Sequence, residues 1–404
     1  MKKNISTLLK SPGNLIFCGA HTQFNNLGDL IINRILLEKL GRYGTVVIRD
    51  EGIPAWYYGQ LGLTTQQRAS DYKWKFNYLI LFAALRSRFS SKRRRVYLVE
   101  TPGHRYGEMT RKWLKPFSLA LLHYFIFRLA GVRICALGVS IGPFDKTLEI
   151  IEWCRNRLLF FYSVRDSLSA TYAKQIGINR AARFPDLAWL LETHAANPDR
   201  QTDTRSGAQA NKSSLRKDDY VIFSFRAQTH NLADSSTHPQ EYQQQLFRSL
   251  DAIASLVSQT WSKKLIISYQ VEMDQPFCQQ LAERYAASHQ AIFVKEQVDL
   301  DSMREIYGNA FIVFSNRLHV LMLAMALGAI PIAVVDTANH SKITGIFQDA
   351  DLHRLVVDVG AGEMDLAAVS EIAENAAAVR GELADGYAKN RAEGNALLRQ
   401  LFTR

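Results

Sequence analysis

Arg317 and His319 are the residues whose types and spacing most directly suggest chemistry. They follow the apolar run 311–314 (FIVF) and open the apolar segment 318–327 (LHVLMLAMAL). A short run of β-formers, a polar break and a longer run of helix formers read as strand, loop and helix. Ser315 is placed to cap that helix, Gly328 to end it, and Pro331 to open a second buried strand. In a parallel sheet such a loop lies at the carboxyl edge, where open α/β folds bind ligands. A helix start there adds partial positive charge and backbone N–H groups, which suit a phosphate or carboxylate. A cation and a titratable imidazole at this place would hold an anion and exchange a proton. The plainer alternative is a satisfied surface or core pair, so the case depends on what else the chain brings to the same edge.

The elements that must position these groups alternate along the chain. The strand 15–18 (LIFC) leads through the polar loop 19–26 into a helix over 30–40, with Asp29 at its start, and a second strand at 46–48 completes a βαβ unit. A carboxylate at a helix start is ordinarily a cap, and Asp166, in the loop before the helix expected over 168–176, is in the same position. Strands are expected at 95–100, 133–142 and 160–164, with a short strand over 184–186 carrying Asp186 at its end. Residues 101–107 read as a polar, glycine-bearing loop. The second half begins with the strand 220–225 (YVIFSF), which delivers Arg226, and the loop 336–341 (DTANHS) leads to Lys342. This alternation predicts an α/β protein of two doubly wound, Rossmann-like domains facing a cleft, the GT-B-like architecture of many glycosyltransferases. The expected organisation is an N-terminal domain over 1–194, a polar linker over 195–219, a second domain over 220–365, and C-terminal helices over 366–404 that cross back to the first domain.

Composition narrows the possibilities. A chain of 404 residues exceeds one ordinary core. Four cysteines without metal-like spacing read as reduced core residues, and the polar stretch 4–14 lacks the apolar region of a signal peptide, so a cytoplasmic location is expected. Residues 1–200 carry 30 Lys/Arg against 14 Asp/Glu, whereas the remainder carries 19 against 24. Within the basic half, the aromatic stretch 74–89 runs into the cations 92–95, and 111–128 has cations at both ends. Such segments suit the anionic inner face of a plasma membrane, or else form core helices with solvated basic ends. Nucleic acid is not expected, because the aromatics sit among aliphatics and no RNP, zinc-finger or helix-turn-helix signature is present. Dinucleotide, P-loop, GxSxG and HExxH signatures are lacking, and no metal cluster is legible.

Seven short motifs occur in order: Asn26-x-Gly28-Asp29, Ala136-Leu-Gly-Val-Ser-Ile-Gly-Pro143, Ser163-Val-Arg-Asp-x-Leu168, Phe184-Pro-Asp186, Phe223-Ser-Phe-Arg226, Asn316-Arg-Leu-His319 with Gly328-x-x-Pro331, and Lys342-x-x-Gly345. The series resembles the polysaccharide pyruvyl transferase family over about residues 13–350. One departure is the stretch Thr101-Pro-Gly-His-Arg-Tyr-Gly107, where family members often carry a GGG loop.

The resemblance implies transfer of a pyruvyl group from phosphoenolpyruvate to two sugar hydroxyls, giving a cyclic ketal and phosphate, with no further cofactor. The donor is doubly anionic, and Arg226, Arg317 and Lys342 are the cations expected to bind it. His319 is the expected acid/base group, the helix start and Arg317 favouring the neutral base and bound donor phosphate the imidazolium acid, and Asp29 is the candidate to orient an acceptor hydroxyl. Asn26, Arg165 and Asp186 are expected substrate contacts by their place in the motifs. The expected acceptor is a sugar, in the first instance on a lipid-linked oligosaccharide. The alternatives are a glycosyltransferase of the same architecture using a nucleotide sugar, and a non-catalytic glycan- or membrane-binding protein.

Overall fold

The computed structural model describes residues 2–11, 13–62, 68–89, 94–192, 216–227, 239–362 and 364–403. The expected linker lies outside the described residues as far as position 215, as do Lys92 and Arg93 of the basic run. The chain divides into two compact units, one of Met1–Phe24, Asp29–Leu187 and Ala392–Arg404, the other of Asn25–Gly28 and Ala188–Arg391.

The first unit is built on a parallel sheet of β1 (Asn14–Gly19), β2 (Gly44–Arg49), β3 (Val96–Val99), β4 (His104–Gly107), β5 (Arg133–Phe144), β6 (Phe161–Val164) and β7 (Ala182–Arg183). Its order is β2-β1-β3-β5-β6-β7, with β4 added to β5. Leu15, Phe17, Leu98, Ile134 and Ala136 form the core with residues of the covering helices. Helices on both faces are the reason these strands read as continuous apolar runs. Two expectations are corrected here. Residues 101–107 are not all loop: β5 runs on past its pairing with β3, and His104 and Arg105 pair with Ser140 and Ile141 of that extension. The segment 184–186 is not a strand; residue pairing with β6 stops at Arg183, and Phe184 N–H makes one further bond, to the Val164 carbonyl at 2.9 Å.

The glycines of the 136–143 motif serve packing. Gly142 has φ +83°, and a Cβ there would lie 2.5 Å from the ring of Tyr172. At the C-terminus, the last turn of the helix Ala376–Thr403 packs its Phe402 ring against Tyr43 and Tyr97, with centroids 5.6 and 4.7 Å away. Asn14 Nδ2 donates to the Phe402 carbonyl at 2.8 Å, which ties the helix end to β1.

The second unit carries six parallel strands, β8 (Tyr220–Ser224), β9 (Lys264–Ile267), β10 (Ile292–Phe293), β11 (Ile312–Ser315), β12 (Ile330–Val335) and β13 (Val356–Asp358), in the order β10-β9-β8-β11-β12-β13. Every residue of β8, β11 and β12 is buried. The helix Leu318–Ala326 joins β11 to β12, and Gly328, with φ +93°, follows its end. The short helix Met303–Gly308 and β13 escaped the sequence reading, since elements of a few residues carry little periodicity. Both units are thus Rossmann-like, parallel α/β sheets with flanking helices.

Candidate active site

Strands β9, β8, β11 and β12 are adjacent and parallel, so the residues following each share one edge of the second unit. Arg226 follows β8, Asn316, Arg317 and His319 follow β11, and the loop after β12 carries Asp336 and His340 and leads to Lys342. Asn316, almost wholly buried, links two of these exits. Its Oδ1 accepts from the Arg226 N–H at 2.9 Å, while its Nδ2 donates to the Arg226 carbonyl and the Tyr242 hydroxyl. The backbone of Arg226 is therefore fixed at the sheet edge.

Ser315 is the last residue of β11 rather than the cap of the next helix. Its hydroxyl donates to the Ser224 carbonyl at 2.5 Å and accepts from the Arg317 N–H at 2.9 Å, and Arg317 itself occupies the cap position in an extended conformation. The Arg317 side chain turns to Asp274, with Nε donating to Oδ2 at 2.7 Å and Nη2 to Oδ1. Asp274 is buried, and burial raises its carboxyl above the ordinary range against the lowering effects of Arg317 and Arg226. A two-point grip of this kind sets the plane of a guanidinium.

His319 meets the residues 25–28, which belong to the same unit. Asn26 forms an antiparallel bridge with Val271, Leu27 N–H donates to the Gln270 carbonyl at 3.2 Å, and Asn26 Oδ1 accepts from Gly28 N–H at 3.0 Å. Gln297 Nε2 donates to the carbonyls of both Asn25 and Gln270. This framework presses Gly28 onto the imidazole, and a Cβ on Gly28 would lie 2.5 Å from both Cβ and Nδ1 of His319. The glycine of the first motif is thus a close-approach position for the histidine of the sixth.

Lys342 stands in the first turn of the helix Ser341–Asp349, directly after the loop that leads to it. The helix begins there because Asp336 holds the preceding turn, accepting from Ala338 N–H at 3.1 Å and Asn339 Nδ2 at 2.6 Å. His340 is the residue of this loop that the sequence reading passed over. It is buried beside Tyr242, and its Nδ1 donates to the Asp336 carbonyl at 3.1 Å, so Nε2 carries the lone pair. Burial, and then the charges of Arg226 and Lys342, bring its pKa down to about 3. Arg226 thus exerts its charge on Asp274 at one side and, with Lys342, on His340 at the other. The three cations and both histidines belong to one sheet edge, together with the carboxylates of Asp274 and Asp336.

In the first unit, Arg165 and Asp186 are brought together as a buried ion pair at 2.6 Å. Arg165 Nε also donates to Ser140 Oγ at 2.6 Å, and Ser140 donates on to Asp166, whose other oxygen caps the helix Ser167–Gln175. Three motifs of the sequence series therefore bond to one another. Asp29 lies in the first turn of the helix Leu27–Gly41, accepting from Thr22 Oγ1 at 2.5 Å. The cysteines are unpaired, and burial pushes the thiols of Cys18, Cys135 and Cys278 up, away from any nucleophilic form.

The family model for polysaccharide pyruvyl transferases matches residues 26–335. The chain belongs to the polysaccharide pyruvyl transferase family. Its family match begins at Asn26 and ends at the last residue of β12, so it takes in the exits of β8 and β11 with Arg226, Asn316, Arg317 and His319, and stops before Asp336, His340 and Lys342. No curated protein matches the sequence. Among solved structures, this pyruvyl transferase family member is similar to Anabaena Alr3699/HepE in complex with UDP, with 12% identity, 96% of this chain and 98% of that one covered, and a TM-score of 0.56. It is also similar to a putative UDP-N-acetylglucosamine 2-epimerase from Listeria monocytogenes, with 11% identity, coverage of 96% and 95%, and a TM-score of 0.55. The Neisseria meningitidis UDP-GlcNAc 2-epimerase bound to UDP-GlcNAc aligns at 11% identity over 97% and 100%, with a TM-score of 0.54. At such identities the likeness is one of fold.

Proposed function

We propose that the protein moves the pyruvyl group of phosphoenolpyruvate onto two hydroxyls of a sugar, in a polysaccharide or its lipid-linked precursor, at the cytoplasmic face of the plasma membrane. The observation that carries this reading is the sharing of one sheet edge by Arg226, Arg317, Lys342 and an imidazole, in a chain of this family. A donor with both a carboxylate and a phosphate needs several cations, and Asp274 holds one of them in a set plane. In the reaction, C3 of the donor takes a proton and becomes a methyl group, leaving an oxocarbenium-like C2. One sugar hydroxyl adds to C2 and the second displaces phosphate, closing the ketal. Of the two hydroxyl protons released, one replaces the proton delivered to C3 and the other leaves with phosphate. His319 is the group assigned to this proton traffic, Asp29 the one assigned to orient an acceptor hydroxyl, with Asn26, Arg165 and Asp186 as the further substrate contacts of the reading.

The test is phosphate release from phosphoenolpyruvate across a panel of lipid-linked oligosaccharides, with thermal shift as a second readout. Phosphoenolpyruvate at a hundred times its Kd should stabilise the protein by about 2.7 kcal/mol. Stabilisation by UDP-sugars with none by phosphoenolpyruvate would overturn the reading in favour of a nucleotide-sugar glycosyltransferase.

Gly28→Ala provides a sharper check on the geometry. The added methyl must displace His319, so turnover should fall by at least roughly ten-fold, consistent with the steep dependence of catalysis on sub-ångström placement. The donor-induced thermal shift should persist. Wild-type turnover in Gly28→Ala would separate His319 from the chemistry.

A further inference from the structure

The helix Arg111–Leu129 has a single fully buried side chain, Phe127, which sits in the core of the first unit. Tyr124, on the same inward side, donates its hydroxyl to Glu100 Oε1 at 2.5 Å. The opposite side is exposed and apolar: Leu114, Leu119, Leu122, Phe125, Ile126 and Leu129, with Leu122 54% and Leu129 65% exposed. At about 100° per residue these six cover an arc of roughly 140°. Solvent-exposed apolar surface that is contiguous in this way marks an interaction site in a soluble fold.

The charges around the stripe are of one sign. Arg111, Lys112 and Lys115 stand in its first turns and Arg128 in its last, and the helix contains no Asp or Glu. A second helix, Phe76–Arg88, packs against it and repeats the pattern, with Tyr78 and Leu85 exposed, Phe89 exposed at its end, Arg86 and Arg88 beside them, and again no acidic residue. Among the described residues no helix is long and apolar enough to cross a membrane. An apolar stripe bordered by cations belongs instead to helices lying in the plane of a bilayer interface. A second copy of the chain on this face would set these cationic rows against each other, at a cost of several kcal/mol.

We propose that the exposed faces of the helices Arg111–Leu129 and Phe76–Arg88 dock the first unit on an anionic bilayer surface, the aliphatic and aromatic side chains entering the headgroup boundary and the flanking cations meeting lipid phosphates. The proposal deepens the lipid-linked-acceptor reading but stands on the surface alone. Binding to substrate-free vesicles is therefore informative whether or not the donor chemistry holds.

The experiment is co-sedimentation of the full chain with phosphatidylglycerol–phosphatidylcholine vesicles and with pure phosphatidylcholine vesicles. The expected result is binding to the first, little to the second, and release by high salt. Leu122→Gln/Ile126→Gln/Leu129→Gln should reduce partitioning at least roughly ten-fold, since it removes three side chains from the buried apolar area. Because those side chains are exposed, the melting transition and turnover on a water-soluble acceptor should stay as in wild type. Lys112→Ser and Lys115→Ser, which leave the packing untouched should the triple variant misfold, should each lower partitioning by roughly five-fold. A wild-type chain that stays in the supernatant would overturn the proposal, as would variants that bind as well as wild type. So would a dimer in sedimentation velocity that the triple variant dissociates without any vesicle binding; that result would assign the face to a second copy.

Discussion

His319→Ala is expected to lower phosphate release from phosphoenolpyruvate in the presence of acceptor by about 10²–10⁴-fold, the range of one positioned acid/base group. The loss should fall on kcat. Arg226, Arg317 and Lys342 are retained in the variant, so the donor-induced thermal shift should survive, and KM for phosphoenolpyruvate should change far less than kcat. A rise in KM at constant kcat would make His319 a binding group instead, and wild-type turnover would remove it from the mechanism. His340→Ala is the natural companion measurement. Its imidazole is neutral, buried and held by the Asp336 carbonyl, so it belongs to the support of the edge. Phosphate release that persists in His340→Ala but is lost in His319→Ala would attribute the proton transfer to His319.

The largest effect on stability is expected from Arg155. Its Nε and Nη2 donate to Glu152 at 3.0 and 2.7 Å, and Nη1 donates to Glu100, all within the first unit. Arg105 adds a contact to Glu152 at 3.2 Å, and Tyr162 donates its hydroxyl to the same carboxylate. Arg155→Met removes the central cation and leaves Glu152, almost wholly buried, with Arg105 and Tyr162, and Glu100 with Tyr124, at a cost of about 3–5 kcal/mol. For a unit of this size that is a fall of roughly 10 °C in its melting transition. Burial alone would raise the Glu152 carboxyl, but Arg155 and Arg105 outweigh it and hold the pKa at about 2, below the ordinary 4.5. A carboxylate depressed in the folded state contributes stability above its unfolded pKa and loses it as pH falls through the folded value. The wild-type contribution, about 3 kcal/mol from the shift, is therefore present at neutral pH and declines between pH 4.5 and about 2. Denaturant titrations of wild type and Arg155→Met should converge over that window. A gap of the same size at pH 7 and pH 3 would mean that the side chain acts through packing and not through charge.

The candidate residues were legible to different depths. Arg317 and His319 stood out because strand, loop and helix are written locally, in twenty-five residues of apolar pattern between 311 and 335. Arg226 could be placed because a run of β-formers ends on it. Asp274 was not found: it lies 43 positions before its partner Arg317 and looks like any acid near a helix start. His340 was passed over for a similar reason, since a histidine in a polar loop acquires meaning only once burial, Arg226 and Lys342 surround it. Arg165, Asp166 and Ser140 looked like separate motif residues and prove to be one buried network. The helix 111–128 was left open between core and membrane surface, because its composition is apolar on nearly every face and only packing reveals which face is covered.

By itself, then, the amino-acid order determined the alternation of strands and helices, the parallel α/β class of both units, and the family, because periodicity and short motifs depend on neighbours a few residues away. Tertiary structure alone decided the partners: Gly28 against His319, Asp274 gripping Arg317, and the β9-β8-β11-β12 order that gives their exits a common edge. Those outcomes turn on which distant segments lie side by side, and strand order is a choice among packings that no local pattern records.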